Sequence, residues 1–365
     1  MKVLYNHEYP RRVRLAAIGC GGHAIRNVFS THPYAPIDLV AVCDLDRERA
    51  EHTGCMFGAK AAYTDYHEML EREKPEAVTV VTNYDEDGRP RYPQIAIDCM
   101  QAGAHVWIEK PPAASSAEVL DMMRVSEATG KFVAVGFKKM FFPANVKARE
   151  IITRPAFGSI STITARYPEA LPPLEDRQDL HKMWRFLDHI VHPWSVLQYL
   201  AGPAESIFVQ RSPTGGTVTA IQFASGAVGS LHLDRGQGSS SFLERTEIVG
   251  PGGNVVIHNN TKLTFYSDGP KPAGGYGRSG DYYGGDERAA LHWEPEFSLG
   301  QLYNKGIFLL GYAPEIRYFC QCVLDDTPPE VGTLDNALEM LRIYEAYCQP
   351  DGQHIRIDTE PGKVS

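Results

Sequence analysis

The first 137 residues alternate between short apolar runs and segments with helical periodicity. The apolar runs, which predict strands, cover residues 13–18, 37–43, 77–82, 105–108 and 132–137. The helical segments between them cover residues 24–30, 47–54, 66–72, 94–102 and 117–129. Strands and helices that alternate at this spacing form right-handed crossovers and build a parallel sheet with helices on both faces. We therefore predict an N-terminal α/β domain, residues 1–137, with a doubly wound parallel sheet.

From residue 138 onward the pattern changes to strands separated by turns, and it predicts a second domain over residues 138–365. One helix is expected after Pro143 and a closing helix over 334–346, capped by Thr333. The strand-like runs cover residues 159–167, 206–210, 217–223, 227–233, 245–249, 254–258 and 262–266. Residues 224–226 and 250–253 are turn sequences typical of hairpins. We predict an α+β domain with a large, mainly antiparallel open sheet.

Composition narrows the class of protein. The 365 residues are 43% hydrophobic and 22% charged, as in ordinary soluble globular proteins. A net charge of −9 disfavours nucleic acid and anionic membranes as partners. No apolar run approaches the roughly 20 residues of a membrane helix, and residues 1–12 do not resemble a secretion signal. Seven cysteines, an odd number and mostly isolated, are typical of reduced thiols, so we expect a cytoplasmic protein.

The first predicted strand ends in a glycine-rich turn of the form G-x-G-x-x-A. Gly19 would permit a tight turn, while Gly21, followed by Gly22 and His23, would let a pyrophosphate approach the backbone. Ala24 would keep the next helix close to the sheet, with the amides of its N-terminus directed at the phosphates. This motif between a strand and a helix predicts a Rossmann domain that binds a dinucleotide.

The end of the second strand indicates which dinucleotide. Asp44 stands 25 residues after Gly19, where a carboxylate can accept both adenosine-ribose hydroxyls and repel the 2′-phosphate of NADP. Arg47 and Arg49 lie nearby and could instead serve that phosphate. We predict NAD as the cofactor, with NADP as the less favoured alternative.

Two further segments carry candidate chemistry. Lys110 follows the fourth strand and precedes two prolines, so its amine is expected at the carboxyl edge of the sheet, where ligands bind. Asp188 and His192 are four positions apart, a spacing that on a helix lets a carboxylate orient an imidazole for general-base work. Because Pro193 lacks an amide hydrogen, we expect the regular helix to begin near His192, with Asp188 in the preceding turn.

These motifs occur in an order that resembles a known family. The turn at 19–24, Asp44, the Glu109-Lys110-Pro111 tripeptide, residues 136–137 and the Asp188/His192 pair follow one another as in the glucose–fructose oxidoreductase/inositol dehydrogenase/rhizopine-catabolism family (Gfo/Idh/MocA). The likeness runs from about residue 13 to about residue 346, and the E-K-P tripeptide is its most specific element.

The resemblance implies an NAD-dependent dehydrogenase that oxidises a secondary hydroxyl of a sugar, inositol or glycoside by reversible hydride transfer to nicotinamide C4. It implies Lys110, Asp188 and His192 as the catalytic set, with His192 as base, Lys110 stabilising the alkoxide and Asp188 orienting the imidazole. Cofactor contacts are expected from residues 19–24, Asp44, Arg47, Thr82, Asn83, Glu109 and Lys110. It also implies a homo-oligomer, dimer or tetramer.

Two features depart from the family pattern. Ile190 stands where the family often has glycine, two residues after the aspartate. The stretch over 82–93 is longer than the usual T-P-x-x-x-H turn and lacks its histidine. Besides the catalytic set, polar and aromatic residues that could grip a polyol are Lys138, Arg166, Tyr167, Trp184, Arg185, His189 and Asp234. The Gly- and Tyr-rich segment 268–300 is expected to border the substrate pocket.

Three alternatives stay open from the sequence. A glycosidase or lyase that uses NAD for transient oxidation of its sugar would carry the same motifs. A non-catalytic NAD-binding regulator is disfavoured by the intact catalytic set. A metal site from Asp188, His189, His192 and His232 lacks any established ligand spacing, so we predict no metal.

Overall fold

The computed structural model describes residues 9–236, 243–267, 290–296 and 305–358. Its N-terminal sheet confirms the predicted parallel, doubly wound architecture. All six strands run parallel in the order β3-β2-β1-β4-β5-β6. They are β1 (Val13–Ile18), β2 (Ile37–Cys43), β3 (Ala61–Tyr63), β4 (Ala77–Val80), β5 (His105–Ile108) and β6 (Val133–Val135). The sequence pattern missed β3, because it is an edge strand of only three half-buried residues, too short a run to stand out.

Four α-helices connect these strands. They are α1 (Arg47–Phe57), α2 (Tyr66–Glu73), α3 (Tyr92–Gln101) and α4 (Ser116–Thr129). The helix expected over 24–30 is instead a π-helical turn, Ala24–Val28, that continues as a 3₁₀ segment, Phe29–Tyr34. Pro33 within that segment has no amide hydrogen with which to extend a regular helix.

The second sheet has nine strands among the described residues, in the order β14-β13-β12-β11-β7-β10-β9-β8-β15. The pair β7–β10 is parallel and the other pairs are antiparallel. The strands are β7 (Thr162–Tyr167), β8 (Ala204–Arg211), β9 (Thr217–Phe223), β10 (Val228–Leu233), β11 (Arg245–Gly250), β12 (Gly253–His258), β13 (Lys262–Ser267), β14 (Leu291–Trp293) and β15 (His354–Arg356). The sequence pattern missed the two short edge strands.

Helices cover one face of this sheet and leave the other face open. They are α5 (Pro143–Ile152), α6 (Leu180–Ala201) and α9 (Leu334–Tyr347), and the C-terminal half also contains α7 (Lys305–Leu309) and α8 (Tyr312–Leu324). Along β7, Ile163, Ala165 and Tyr167 are buried in the core that α6 and α9 share, whereas the alternate residues are exposed. This alternation confirms the predicted open sheet.

Helix α6 corrects one prediction. It runs unbroken for 22 residues with Pro193 inside it, although we expected a regular helix only from about His192. A proline inside a helix costs about 3 kcal/mol, whereas each large apolar side chain that the helix buries contributes about 1.5–3 kcal/mol. Since residues such as Phe186 and Trp194 are fully buried, packing outweighs the missing amide.

Helix α8, from the C-terminal half, packs on the N-terminal sheet. Its Ile316, Phe319 and Cys320 are fully buried in one cluster with Leu15 of β1 and Trp107 of β5. The opposite face of the same sheet packs against α3 and α4. Helix α8 and the N-terminal sheet therefore share one apolar core. Tyr312, at the start of α8, lies beside the glycine-rich turn.

No helix within the described ranges combines the length and the apolar character that a bilayer-spanning segment requires. Of the segment 268–300, residues 290–296 contribute β14, and the remainder lies outside the described residues, so the substrate-pocket prediction for this segment stays a prediction.

Candidate active site

The turn after β1 forms a cradle of backbone. Gly19 has φ +94°, and a Cβ there would lie 1.9 Å from the carbonyl oxygen of Val81, so only glycine fits. Gly21 and Gly22 face open space. Ala24 is buried and seats the following helical turn against the sheet. Backbone amides are thereby open to a ligand at the point where the sequence predicts a pyrophosphate.

Asp44 closes one end of this cradle. Its carboxylate accepts the backbone N–H of Cys20 at 2.8 Å and that of Asp46 at 3.0 Å. Arg49 Nη1 lies 3.2 Å from Asp44 Oδ1 and also pairs with Asp46. Arg47, which the sequence predicts at the cofactor, is exposed and pairs with a glutamate one turn further along α1. Arg49, at the third position of the helix, is the arginine that reaches back to the pocket.

Two adjoining cavities meet at the carboxyl end of β4. Both are lined by Gly21, Val81, Thr82, Asn83 and Tyr84. One continues to Asp44, and the other to Lys110 and Asp188. Thr82 Oγ1 is buried and has no hydrogen-bond partner among the described residues, so it is a group that a ligand could satisfy. The open glycines, the acidic end and this hydroxyl fit a nicotinamide dinucleotide.

A buried acid lies beneath the cradle. Glu109 accepts the backbone N–H of Lys110 at 2.8 Å, and its Oε1 lies 2.9 Å from His23 Nε2. The hydroxyl of Tyr312 lies 3.2 Å from the same imidazole nitrogen. Burial alone would raise the pKa of Glu109, but the His23 hydrogen bond and the charges of Lys110 and Lys138 outweigh it and leave the pKa below its usual value. Glu109 is therefore an ionised anchor for the turn.

Lys110 and Asp188 form a close ion pair at the edge of the second cavity. Lys110 Nζ donates to Asp188 Oδ1 at 2.9 Å and to the backbone oxygen of Asp188 at 3.4 Å. Tyr84 also donates its hydroxyl to Asp188 Oδ1, at 3.0 Å. The sequence did not single out Tyr84; the signal was the atypical turn over 82–93, which carries it. A carboxylate that accepts both donors fixes the amine in place.

His192 lies in the same region but not as predicted. Within the described part of the chain, it makes no hydrogen bond to Asp188, whose carboxylate instead binds Lys110 and Tyr84. Its ring faces Tyr167 at a centroid distance of 6.3 Å. Burial first, and then the positive charges of Lys110, Lys139 and Lys138, hold the pKa of His192 well below its ordinary value. The imidazole is neutral at neutral pH.

Other predicted substrate residues surround this group. Lys138 Nζ lies 4.7 Å from the ring centre of Tyr312, and burial lowers its pKa. Trp184 contacts Tyr84 edge-on at a centroid distance of 6.1 Å. Arg185 and His189 both bind the carboxylate of Glu169, a residue that the sequence analysis missed.

Arg166 and Asp234 are not brought to this group. Arg166 is exposed on the open face, because neighbouring side chains of a strand point to opposite faces and Tyr167 faces the core. Asp234 is exposed and accepts the backbone N–H of Gly236. His232, considered for a metal, bonds to Ser230 on the open face. The described residues contain no group of three or more His, Cys, Asp or Glu arranged for a metal ion.

Known proteins share both the N-terminal motif and the fold. Residues 13–137 match GFO_IDH_MocA, an oxidoreductase family with an NAD-binding Rossmann fold. The chain is 25% identical to myo-inositol 2-dehydrogenase of Thermotoga maritima, over 69% of this chain and 77% of the relative. It is 26% identical to scyllo-inositol 2-dehydrogenase (NAD(+)) of Bacillus subtilis, over 90% and 91% respectively.

The whole fold also matches a solved structure. A levoglucosan dehydrogenase in complex with NADH superimposes with a TM-score of 0.75 at 17% identity, covering 95% of this chain and 100% of that one. The motif, the relatives and the fold agree: residues 13–137 form an NAD-binding Rossmann domain of the Gfo/Idh/MocA oxidoreductase family, and the chain as a whole is similar to inositol dehydrogenases in sequence and to a levoglucosan dehydrogenase in fold.

Proposed function

We propose that this chain catalyses the reversible oxidation of a secondary hydroxyl on a sugar, an inositol or a glycoside, with NAD as cofactor. The observation that carries the proposal is the Lys110–Asp188 pair, which lines the same cavity as the glycine-rich turn. The relatives named as inositol dehydrogenases support the substrate class.

Different residues would hold different parts of the cofactor. Bound NAD supplies the hydride acceptor of this reaction. The amides of Gly21 and Gly22 would hold the pyrophosphate, Asp44 the adenosine ribose and Thr82 a polar group next to the turn. Glu109 holds His23 and the backbone of Lys110 in position, so that cradle and amine stay aligned.

Lys110 is placed to bind the oxygen that reacts. An ammonium has three N–H donors, and two of these are taken by Asp188. The third can donate to the substrate oxygen and stabilise the negative charge that develops on it. Asp188 therefore acts as the positioning group for Lys110, in place of the imidazole that the sequence analysis assigned to it.

His192 is the group that we assign as base. A neutral imidazole has one nitrogen with an open lone pair, which can take the hydroxyl proton as the oxidation proceeds. Burial and three neighbouring lysine charges disfavour the imidazolium, so the ring starts the reaction neutral, with one nitrogen able to accept a proton. Its chain neighbours Val191 and Pro193 are buried in α6, which fixes the backbone that carries the ring.

The direct test is product analysis. Purified protein and NAD are incubated with inositols, aldoses and aryl glucosides, while NADH absorbance is followed and products are identified by mass spectrometry. We expect NADH and a keto-product in equal amounts. Release of an aglycone without net NADH would contradict the proposal and favour the glycosidase alternative.

The proposal extends to a cytoplasmic homo-oligomer, a dimer or tetramer. Exposed apolar side chains share the open sheet face, among them Phe208, Val218 and Val228. Such a patch is typical of subunit contacts. Light scattering after gel filtration should give a mass of two or four chains, and a mass of one chain would contradict this part of the proposal.

A further inference from the structure

The buried carboxylate of Glu169, near the Lys110–Asp188 pair, binds two arginines and a histidine. Glu169 follows β7, and its side chain has no exposed surface. Its Oε1 accepts from Arg235 Nη2 at 2.6 Å, and its Oε2 accepts from Arg185 Nε at 3.4 Å and from His189 Nδ1. Burial alone would raise the pKa of Glu169, but the hydrogen bonds from His189, Ala170 and Arg235 lower it to about 2. Glu169 is thus ionised, and His189 Nδ1 must be the donor.

The charges in this group do not cancel. One carboxylate faces two guanidinium groups, which leaves one positive charge even with His189 neutral. Arg185 and Arg235 are each about half exposed, at 49% and 55%. Each reaches Glu169 through one nitrogen and makes no other hydrogen bond within the described ranges. Most of their N–H donors therefore stay open to a ligand.

The acids near these arginines in the described part of the chain do not neutralise them. Asp188 is committed to Lys110 and Tyr84 through Oδ1, and its Oδ2 lies 3.7 Å from His189 Nε2. Asp234, the neighbour of Arg235 in the chain, bonds to its own turn. The excess positive charge is therefore a property of the site and is fixed by a buried anchor.

The arginine pair lies next to the reacting group. The His189 ring separates Glu169 from Asp188, since Nδ1 contacts the former and Nε2 faces the latter. Arg185 stands three residues before Asp188 on α6, a spacing that places both on one side of the helix. A substrate whose hydroxyl binds Lys110 can therefore extend past His189 to the two guanidinium groups.

We propose that the substrate is a sugar acid or polyol acid whose carboxylate binds Arg185 and Arg235. This inference rests on the proposed function and specifies its substrate class. Guanidinium groups bind carboxylates through paired N–H donors. The single excess positive charge matches one carboxylate, whereas a phosphate dianion would leave an uncompensated negative charge.

The test compares matched pairs of substrates. kcat/KM is measured for glucose against glucuronate and for galactose against galacturonate, with glucose 6-phosphate as the phosphate probe. We expect at least about tenfold higher kcat/KM for the acids, the equivalent of one charge-assisted hydrogen bond, and a decline of that preference as salt rises. A preference for the neutral sugars or for the phosphate would overturn the proposal.

Substitution of the two arginines tests whether they cause the preference for acidic substrates. Arg185→Gln and Arg235→Gln should lower kcat/KM for the acids roughly 10- to 100-fold more than kcat/KM for the matched neutral sugars. Arg235→Lys, which keeps the charge, should recover part of the loss and serves if the glutamine variant does not fold. Arg245→Gln, on the open face of the same sheet, is the matched control. Equal losses on both members of a pair would mean that the arginines are structural, and would overturn the proposal.

Failure of the two proposals can be told apart. If neutral sugars are oxidised and a carboxylate brings no gain, only the substrate class is wrong. If no sugar, neutral or acidic, reduces NAD while the protein still binds NADH, the proposed function is wrong and this inference with it.

Discussion

Tyr84 supplies a hydrogen-bond donor to Asp188 from a turn that lacks the family's usual histidine. The turn over 82–93 lacks the histidine that the family resemblance leads one to expect, yet it delivers a hydroxyl to Asp188 Oδ1. Burial and the neighbouring Asp188 raise the pKa of Tyr84, so the hydroxyl stays protonated and donates. The Asp188 carboxylate that binds Lys110 is therefore also held by Tyr84.

Removing that hydroxyl should weaken catalysis without weakening cofactor binding. We expect Tyr84→Phe to lower kcat about tenfold, since a hydrogen bond to a charged group contributes about 1.5–3 kcal/mol, with the Kd for NAD changed less than twofold. The profile of kcat against pH should also shift. Tyr63→Phe removes another tyrosine–carboxylate bond, to Glu73, away from the site, and is the control. An unchanged kcat in Tyr84→Phe would contradict this role.

We expect Asp44 and its neighbours to determine the preference between NAD and NADP. Asp44 and Asp46 both pair with Arg49, so two carboxylates share one guanidinium group where we expect the adenosine ribose, and their negative charge would oppose a 2′-phosphate. We expect NAD to bind at least tenfold more tightly than NADP, a difference of about 1.4 kcal/mol in binding free energy. The Asp44→Ser variant should reduce this difference. Calorimetry measures both, with Glu48→Ser in the first turn of α1 as the control for charge. Equal affinities in the unaltered protein would refute the preference.

The residues that the sequence could and could not predict differ in the range of their contacts. Lys110 and the glycine turn are local motifs and were found. The Asp188–His192 contact was wrong because the lysine charge, 78 positions away in the chain, competes for the carboxylate. Glu169 was missed because its partner Arg235 is 66 positions away, and a polar residue after a strand looks like surface.

At the scale of elements, periodicity predicted every strand of four or more residues to within a few positions. It failed for β3, β14 and β15, which are edge strands of three residues with none buried, whereas the equally short β6 is fully buried and lies in an apolar run. It also missed α8, whose burial depends on a sheet far away in sequence. Helix α9 and its Thr333 cap are as predicted, with the side chain accepting the backbone N–H of Asn336.

Helix α9 carries a group whose ionisation opposes folding. Glu339 is buried and accepts the N–H of Ala204, and burial raises its pKa to about 7. Because the folded-state pKa lies above the unfolded one, the folded state binds the extra proton, and stability falls as pH rises from about 4 to 7. The amide of Glu339→Gln keeps the acceptor, and its N–H can reach Gln198, whose Oε1 is buried without a partner in the described structure.

We therefore expect Glu339→Gln to raise the free energy of unfolding by about 3 kcal/mol at pH 8 and by less than about 1 kcal/mol at pH 4.5. Urea denaturation at the two pH values measures this. Asp335→Asn, exposed on the same helix, is the control. The same gain at both pH values would show that the ionisation of Glu339 is not the cause.

At the scale of the whole molecule, the C-terminal half completes the N-terminal sheet. Phe319 of α8 is fully buried and meets Phe132 edge-on at 6.1 Å. Truncating a buried aromatic ring costs about 3–5 kcal/mol. We expect Phe319→Ala to shift the whole unfolding transition by that amount in one step, and the exposed Leu310→Ala to shift it by less than about 0.5 kcal/mol. Separate loss of α8 with an unchanged main transition, seen by hydrogen exchange, would contradict a shared core.

If Lys110 and His192 act together on one hydroxyl, a double-mutant cycle in kcat/KM will show strong coupling between them. His192→Ala should lower the rate roughly 10²- to 10⁴-fold, the range of a positioned base, and Lys110→Ala should lose several kcal/mol of transition-state stabilisation. Because both groups serve the same proton and the same oxygen, the double variant should be far less impaired than the product of the single effects. Strictly multiplicative defects, or near-normal turnover in His192→Ala, would contradict the account.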